Sequence, residues 1–156
     1  MRLKELSDYK NKIISKIIDN ENLVKALSNN TEDFLDQPLI SDVTSIIYKN
    51  VFPYKYIPSA QETASSYITM AFTNFSPQGR EFKIGNIYFY IICHNDLLKT
   101  NYGCLRYDYI VNLIDETFND TGNISIGDFK FDSMSDFQVD SNHMGCWICY
   151  EARSFN

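Results

Sequence analysis

Apolar residues Leu3, Leu6, Tyr9, Ile13, Ile14, Ile17 and Ile18 fall three and four positions apart. That spacing builds one face of an amphipathic helix, so residues 3–28 read as helical. Asp19-Asn20-Glu21-Asn22 breaks the pattern, and either Asn20 or Asn22 is suited to cap a short second helix carrying Leu23, Val24 and Leu27. Residues 29–42 are acidic and loop-like, with Phe34, Leu35, Leu39 and Ile40 placed to pin them to the body. A short helix at 41–49 would start at Ser41 or Asp42. Pro53 and Pro58 then forbid helix and favour an extended arm over Lys49–Ser59.

Beyond the arm the period changes from helical to alternating. Ile68, Met70 and Phe72 alternate with Thr69, Ala71 and Thr73, a strand over 66–75. Ser76-Pro77-Gln78-Gly79 marks a turn, and 82–93 is a second strand in hairpin with the first. Its residues Ile87, Phe89 and Ile91 take one face and Tyr88, Tyr90 and Ile92 the other, which predicts a central strand covered on both sides. A helix follows at 104–118, with Tyr107, Ile110, Val111, Ile114 and Phe118 on one stripe and Gly122 as its left-handed stop. A third strand is expected over 124–134, with Phe129 and Phe131 on one side. Ser135–Asn142 reads as a linker. The fourth strand, 143–153, sets Met144, Cys146, Ile148 and Tyr150 against Trp147, Cys149 and Glu151.

The order is α-(α)-β-β-α-β-β. It predicts an α+β fold, an antiparallel sheet of about four strands with helices on one face. The 156 residues suit one domain. It divides into a helical segment (1–28), a loop and arm (29–65) and a sheet with its helix (66–156). There is no internal repeat.

The formal net charge of -6 argues against a protein that grips a nucleic-acid backbone, because phosphate binding needs clustered Lys and Arg. No apolar run reaches membrane-spanning length, and Met1–Leu6 lacks the apolar core of a signal peptide. Aromatic residues make up 15% of the chain. Tyrosines combine a large apolar body with a polar tip, so part of that excess is suited to contact surfaces.

Candidate chemistry is sparse. Cys146-Trp147-Ile148-Cys149 has the spacing of zinc and redox pairs. In a strand, however, residues three apart point to opposite faces, so reduced and mostly buried thiols are expected for all four cysteines, Cys93 and Cys104 included. His94 and His143 close and open strands, where a polar ring meets solvent, and no nucleophile motif accompanies them. Asp132, Asp136 and Asp140 recur every four residues as solvated charges of the linker. Arg106 and Asp108 stand in the first turn of their helix, where Asp108 complements the dipole. Arg106 is then available to Asp108 or to a neighbouring subunit. No catalytic residue, cofactor or metal ligand is assigned.

Three segments carry a resemblance: Tyr48–Pro58, His94–Tyr109 and Ile124–Phe131. Together they resemble small neck proteins of tailed bacteriophages, the tail-terminator, head–tail joining and tail-completion group, over residues 45–155. The resemblance implies a non-enzymatic α+β subunit without a cofactor. It implies a homo-oligomeric ring, expected as a hexamer, in the virion neck, built in the host cytoplasm. Partners would be the tail tube protein and the head connector. Double-stranded DNA would only pass through, and no membrane is involved. Contacts between subunits are then expected at Phe52, Tyr54, Tyr56 and Arg106, and Asp132, Asp136 and Asp140 are expected to face the lumen. A head-completion stopper is the alternative within this class. A small thiol- or zinc-dependent enzyme using Cys146 and Cys149, or a plain monomeric binding module, are alternatives outside it.

Overall fold

The computed structural model describes residues 2–119 and 128–155. A 3-10 turn at Leu3–Glu5 leads into helix α1 (Leu6–Ile18), and α2 (Glu21–Ser28) follows. Of the two candidate caps Asn20 is used, its Oδ1 accepting the Leu23 N–H at 3.1 Å. Asp42 caps the single 3-10 turn at Val43–Ile46, accepting the Thr44 N–H at 3.0 Å. Helix α3 spans Arg106–Phe118. The expected stop at Gly122 and the strand start at Ile124 lie outside the described residues.

The strands are β1 (Val51–Phe52), β2 (Ser66–Gln78), β3 (Phe82–His94), β4 (Asp128–Gln138) and β5 (His143–Phe155). They form one five-stranded sheet in the order β1-β2-β3-β5-β4, with β1 parallel to β2 and every other pair antiparallel. The fold is α+β. The strand that the pattern missed, β1, is two residues long.

Register explains the core. Ile87 pairs with Tyr150, Phe89 with Ile148 and Ile91 with Cys146, so six buried side chains share one face. Against them pack Ile13 and Ile17 of α1, Leu23 and Leu27 of α2, and Ile110, Ile114 and Phe118 of α3. Phe89 stacks on Phe118 with ring centroids 5.1 Å apart, and the Tyr150 hydroxyl donates to Asp115 at 2.7 Å. Gly145 is required where β5 crosses β3: a Cβ there would lie 1.9 Å from the Ile91 carbonyl oxygen.

Two expectations are corrected. Among the described residues the second face of β3 carries no helix: its buried cluster is Phe52, Tyr67 and Ile92, and the packing residues are Tyr56, Phe137 and Val139. Tyr88 and Tyr90 stay half exposed there. The first half of the linker expected over Ser135–Asn142 is strand, since β4 runs to Gln138. An edge strand with one solvent-facing side needs few apolar residues, so its sequence looks like a loop.

Candidate functional site

The helix-free face of the sheet is where the chain builds something beyond a core. The arm starts from a tight turn in which Tyr48 holds φ +61° and its N–H reaches the Val51 carbonyl at 2.8 Å. Positive φ is uncommon for so bulky a residue. Asn50 clamps this turn from a buried position, donating to the carbonyls of Leu27 at 3.0 Å and Ser66 at 2.9 Å. The arm then returns over the sheet. Tyr56 stacks flat on Phe52, centroids 4.0 Å apart and planes 8° from parallel, with Tyr67 5.7 Å away.

One carboxylate ties these rings together. Glu62 accepts from the Tyr67 hydroxyl at 2.8 Å and from the Tyr56 hydroxyl. Burial works to raise the Glu62 pKa, but these two hydrogen bonds hold it below the ordinary carboxylate value. The same bond to Glu62, with burial second, pushes Tyr56 up to about 12. Arm and sheet are thus joined through a shared anion.

Beside this cluster lies a groove of about 420 Å³. Thr69, Tyr90 and Trp147 form its floor, the arm residues Lys55 and Ile57 one wall, and Phe137 and Val139 at the end of β4 the other. The Lys55 ammonium sits 4.9 Å from the Tyr90 ring centroid. Among the described residues it has no carboxylate within ion-pair distance. Thr69 is fully buried and its hydroxyl has no hydrogen-bond partner. Buried hydroxyls are normally satisfied, so this one is an unpaired polar group sealed beneath the groove.

His143 is the other buried polar group on this face. Its Nδ1 lies 3.0 Å from Asp140 Oδ1, and Nε2 has no partner. The pair resembles the base and orienting acid of a hydrolase, but the ring is wholly buried and no serine or cysteine touches its free nitrogen. The expectation of a solvent-facing His143 is corrected: the ring is buried, and its partner Asp140 is partly exposed. His94 lies beside it with ring centroids 5.2 Å apart.

The structure distributes the residues singled out from sequence as follows. Phe52 is buried in the cluster and Tyr56 is half buried, while Tyr54 is 48% exposed. The arm therefore spends Phe52 and Tyr56 mainly on its own subunit, while Tyr54 sets one edge against Phe52 at 5.7 Å and leaves the rest of its ring exposed. Arg106 is corrected outright. It is 0% exposed and cannot reach a neighbouring subunit. Its guanidinium donates to the carbonyls of Leu97, Ala26, Asn29 and Thr31, at 2.8 to 2.9 Å, and none of these bonds goes to Asp108. Ala26 and Asn29 close α2, so the cation satisfies a helix C-terminus.

The three aspartates do not share a surface. Asp132 is the extra residue of a bulge between Phe131 and Ser133 and acts on Cys149 of the helix-free face. Asp136 pairs with Cys146 and acts on Asp108 and Tyr107 of the helix side. Asp140 is tied to His143. A single acidic lining from these three is therefore excluded within one subunit.

The cysteines are free, with Cys93, Cys146 and Cys149 buried and Cys104 half buried. Cys146 belongs to the helix-side core, while Cys149 interacts with Tyr88 on the opposite face. The two thiols diverge as alternation requires. Burial pushes Cys93 up to about 11. No group of three or more His, Cys, Asp or Glu among the described residues is arranged to hold a metal ion. None of the described helices is long and apolar enough to cross a membrane.

Sequence reasoning found the arm through Pro53 and Pro58, but missed Glu62, Thr69 and Asn50. Each is a single polar residue in a polar stretch, and only pairing across the fold gives it a role.

A family model, YomW, matches residues 20–152. The chain belongs to the YomW family. It is a phage-derived family of the Bacillus prophage type. The YomW match begins at the Asn20 cap, so it takes in the arm, α2, α3 and the sheet up to Ala152 of β5, and leaves α1 outside. No curated protein and no solved structure matches this YomW chain.

Proposed function

We propose that this YomW-family chain is a structural subunit of the phage head–tail interface. It assembles as a homo-oligomeric ring that terminates the tail tube and joins it to the head connector. The observation that carries this reading is the presence of two unlike contact surfaces on one subunit. One is the aromatic helix-free face. The other is the outer edge of β4, where Phe131 is 49% and Met134 45% exposed on a strand with no further neighbour among the described residues. Rings need heterologous contacts, in which different patches of adjacent copies meet. An exposed edge strand with apolar side chains calls for cover.

Phage descent of the family and the net charge of -6 support the same reading. An acidic ring lets DNA pass without binding its phosphates. A head-completion stopper would use the same two surfaces.

Mass photometry of the purified chain, alone and with the tail tube protein of the phage that encodes it, tests the proposal. A discrete ring mass bound to tube ends is expected. A chain that stays monomeric with tubes and also fails to bind the head connector would overturn it. Binding to the connector alone would select the stopper.

A further inference from the structure

We propose that the Lys55–Trp147 groove of one subunit receives the β4 edge of a second copy, with Phe131 or Met134 entering between Ile57 and Val139 and a neighbouring aspartate meeting Lys55. This rests on the ring reading above and names the contact that would close it.

Four observations converge. Among the described residues Lys55 is the only charged one lining the groove, so the occupant is apolar with an acid nearby. The β4 edge has that composition: exposed Phe131 and Met134 alternate with exposed Asp132 and Asp136. The outer edge of β4 presents backbone N–H and C=O groups that no strand pairs among the described residues, the Phe131 N–H alone donating to Asn119 Oδ1 at 3.1 Å. The edge thus needs a cover that the described residues of its own subunit do not supply. Finally, the groove lies on the helix-free face while Met134 pairs with Ile148 and so points to the helix side. One copy cannot satisfy itself, and the contact is heterologous, as a closed ring needs.

A single-stranded nucleic acid stacking on Tyr90 and Trp147 is disfavoured. Such sites combine aromatic platforms with a track of cations, and Lys55 stands alone.

Trp147 is the only tryptophan in the chain, so its emission reports on the groove. The full chain is titrated with a synthetic peptide of residues 128–138. A saturable change in Trp147 emission is expected, and it disappears with a peptide carrying Phe131→Ser and Met134→Ser. In the Lys55→Glu chain, Kd rises about tenfold, equivalent to about 1.4 kcal/mol. A peptide with Asp132→Lys and Asp136→Lys restores binding to that chain. No saturable change with the native peptide, or equal Kd for native and Lys55→Glu chains, overturns the contact. So does a change produced by oligothymidylate and not by the peptide. Rings of the same mass from native and Lys55→Glu chains, with no peptide binding, would overturn this contact and leave the ring standing.

Discussion

The Arg106 guanidinium lies over the Phe34 ring, 4.5 Å from its centroid, at the point where α2, α3 and the loop after α2 meet. Its donors go to the carbonyls of Ala26, Asn29 and Thr31 in α2 and the loop after it, and to that of Leu97 ahead of α3. Charge-assisted bonds to helix-end carbonyls, closed off by an aromatic face, keep a buried cation satisfied without a carboxylate. Arg106→Ala leaves those acceptors unpaired in the interior and is expected to cost at least about 3 kcal/mol. Arg106→Lys loses most of the same bonds, because an ammonium lacks the planar fork. Urea unfolding of both variants measures this, and a loss below about 1 kcal/mol would contradict the staple.

Gly145→Ala places a methyl 1.9 Å from the Ile91 carbonyl oxygen, and backbone cannot move aside as a side chain does. A loss of about 1–3 kcal/mol or more is expected from such overpacking. Thermal unfolding checks it. A melting temperature equal to the parent's would mean that β3 and β5 are further apart than described.

Ile114 is fully buried between α3 and the sheet, and Ile114→Ala should cost about 2–5 kcal/mol. Val111→Ala, one helical step away and only partly buried, should cost less. Equal costs in denaturant titrations would place the α3 stripe differently.

The Glu62 cluster defines a pH window for closure of the arm. Glu62 is held below its ordinary value, so it stabilises the closed arm above the normal carboxylate range, and this is lost as pH falls through its own lower pKa. Tyr56 is raised, so its contribution is present below about pH 10 and is lost as pH rises through about 12. Near-UV circular dichroism should be flat between these limbs and change at both ends. In Glu62→Gln the acid limb should shrink. An acid limb of undiminished size would show that another group controls the arm.

Thiol chemistry separates the cysteines. In the folded chain Cys104 should react with a disulfide reagent first, and Cys93, Cys146 and Cys149 only on unfolding. Fast native reaction of all four would contradict their burial.

Much of the fold could be read from periodicity. Ile87, Phe89 and Ile91 announce a strand because each alternate residue must face the same core, and Asn20 and Asp42 announce helix starts because a free N–H needs an acceptor. What stayed hidden depends on distant partners. Val51 and Phe52 are too few to show a period, and their parallel pairing with Ile68 and Thr69 is visible only in three dimensions. The end of β4 looked like a loop because Asp136 needs no burial on an edge. Arg106 looked like a surface charge because arginine usually is one. The groove was legible only as an aromatic excess. The unpaired Thr69 hydroxyl beneath it has no sequence signal at all.

Ring assembly at the head–tail joint is tested most directly in the phage that encodes this chain. The gene is deleted and the lysate viewed by electron microscopy, with the native gene supplied in trans as control. The expected result is DNA-filled heads and separate tails that do not join, with whole particles restored by the native gene. Complete, infectious particles in the absence of the chain would contradict it.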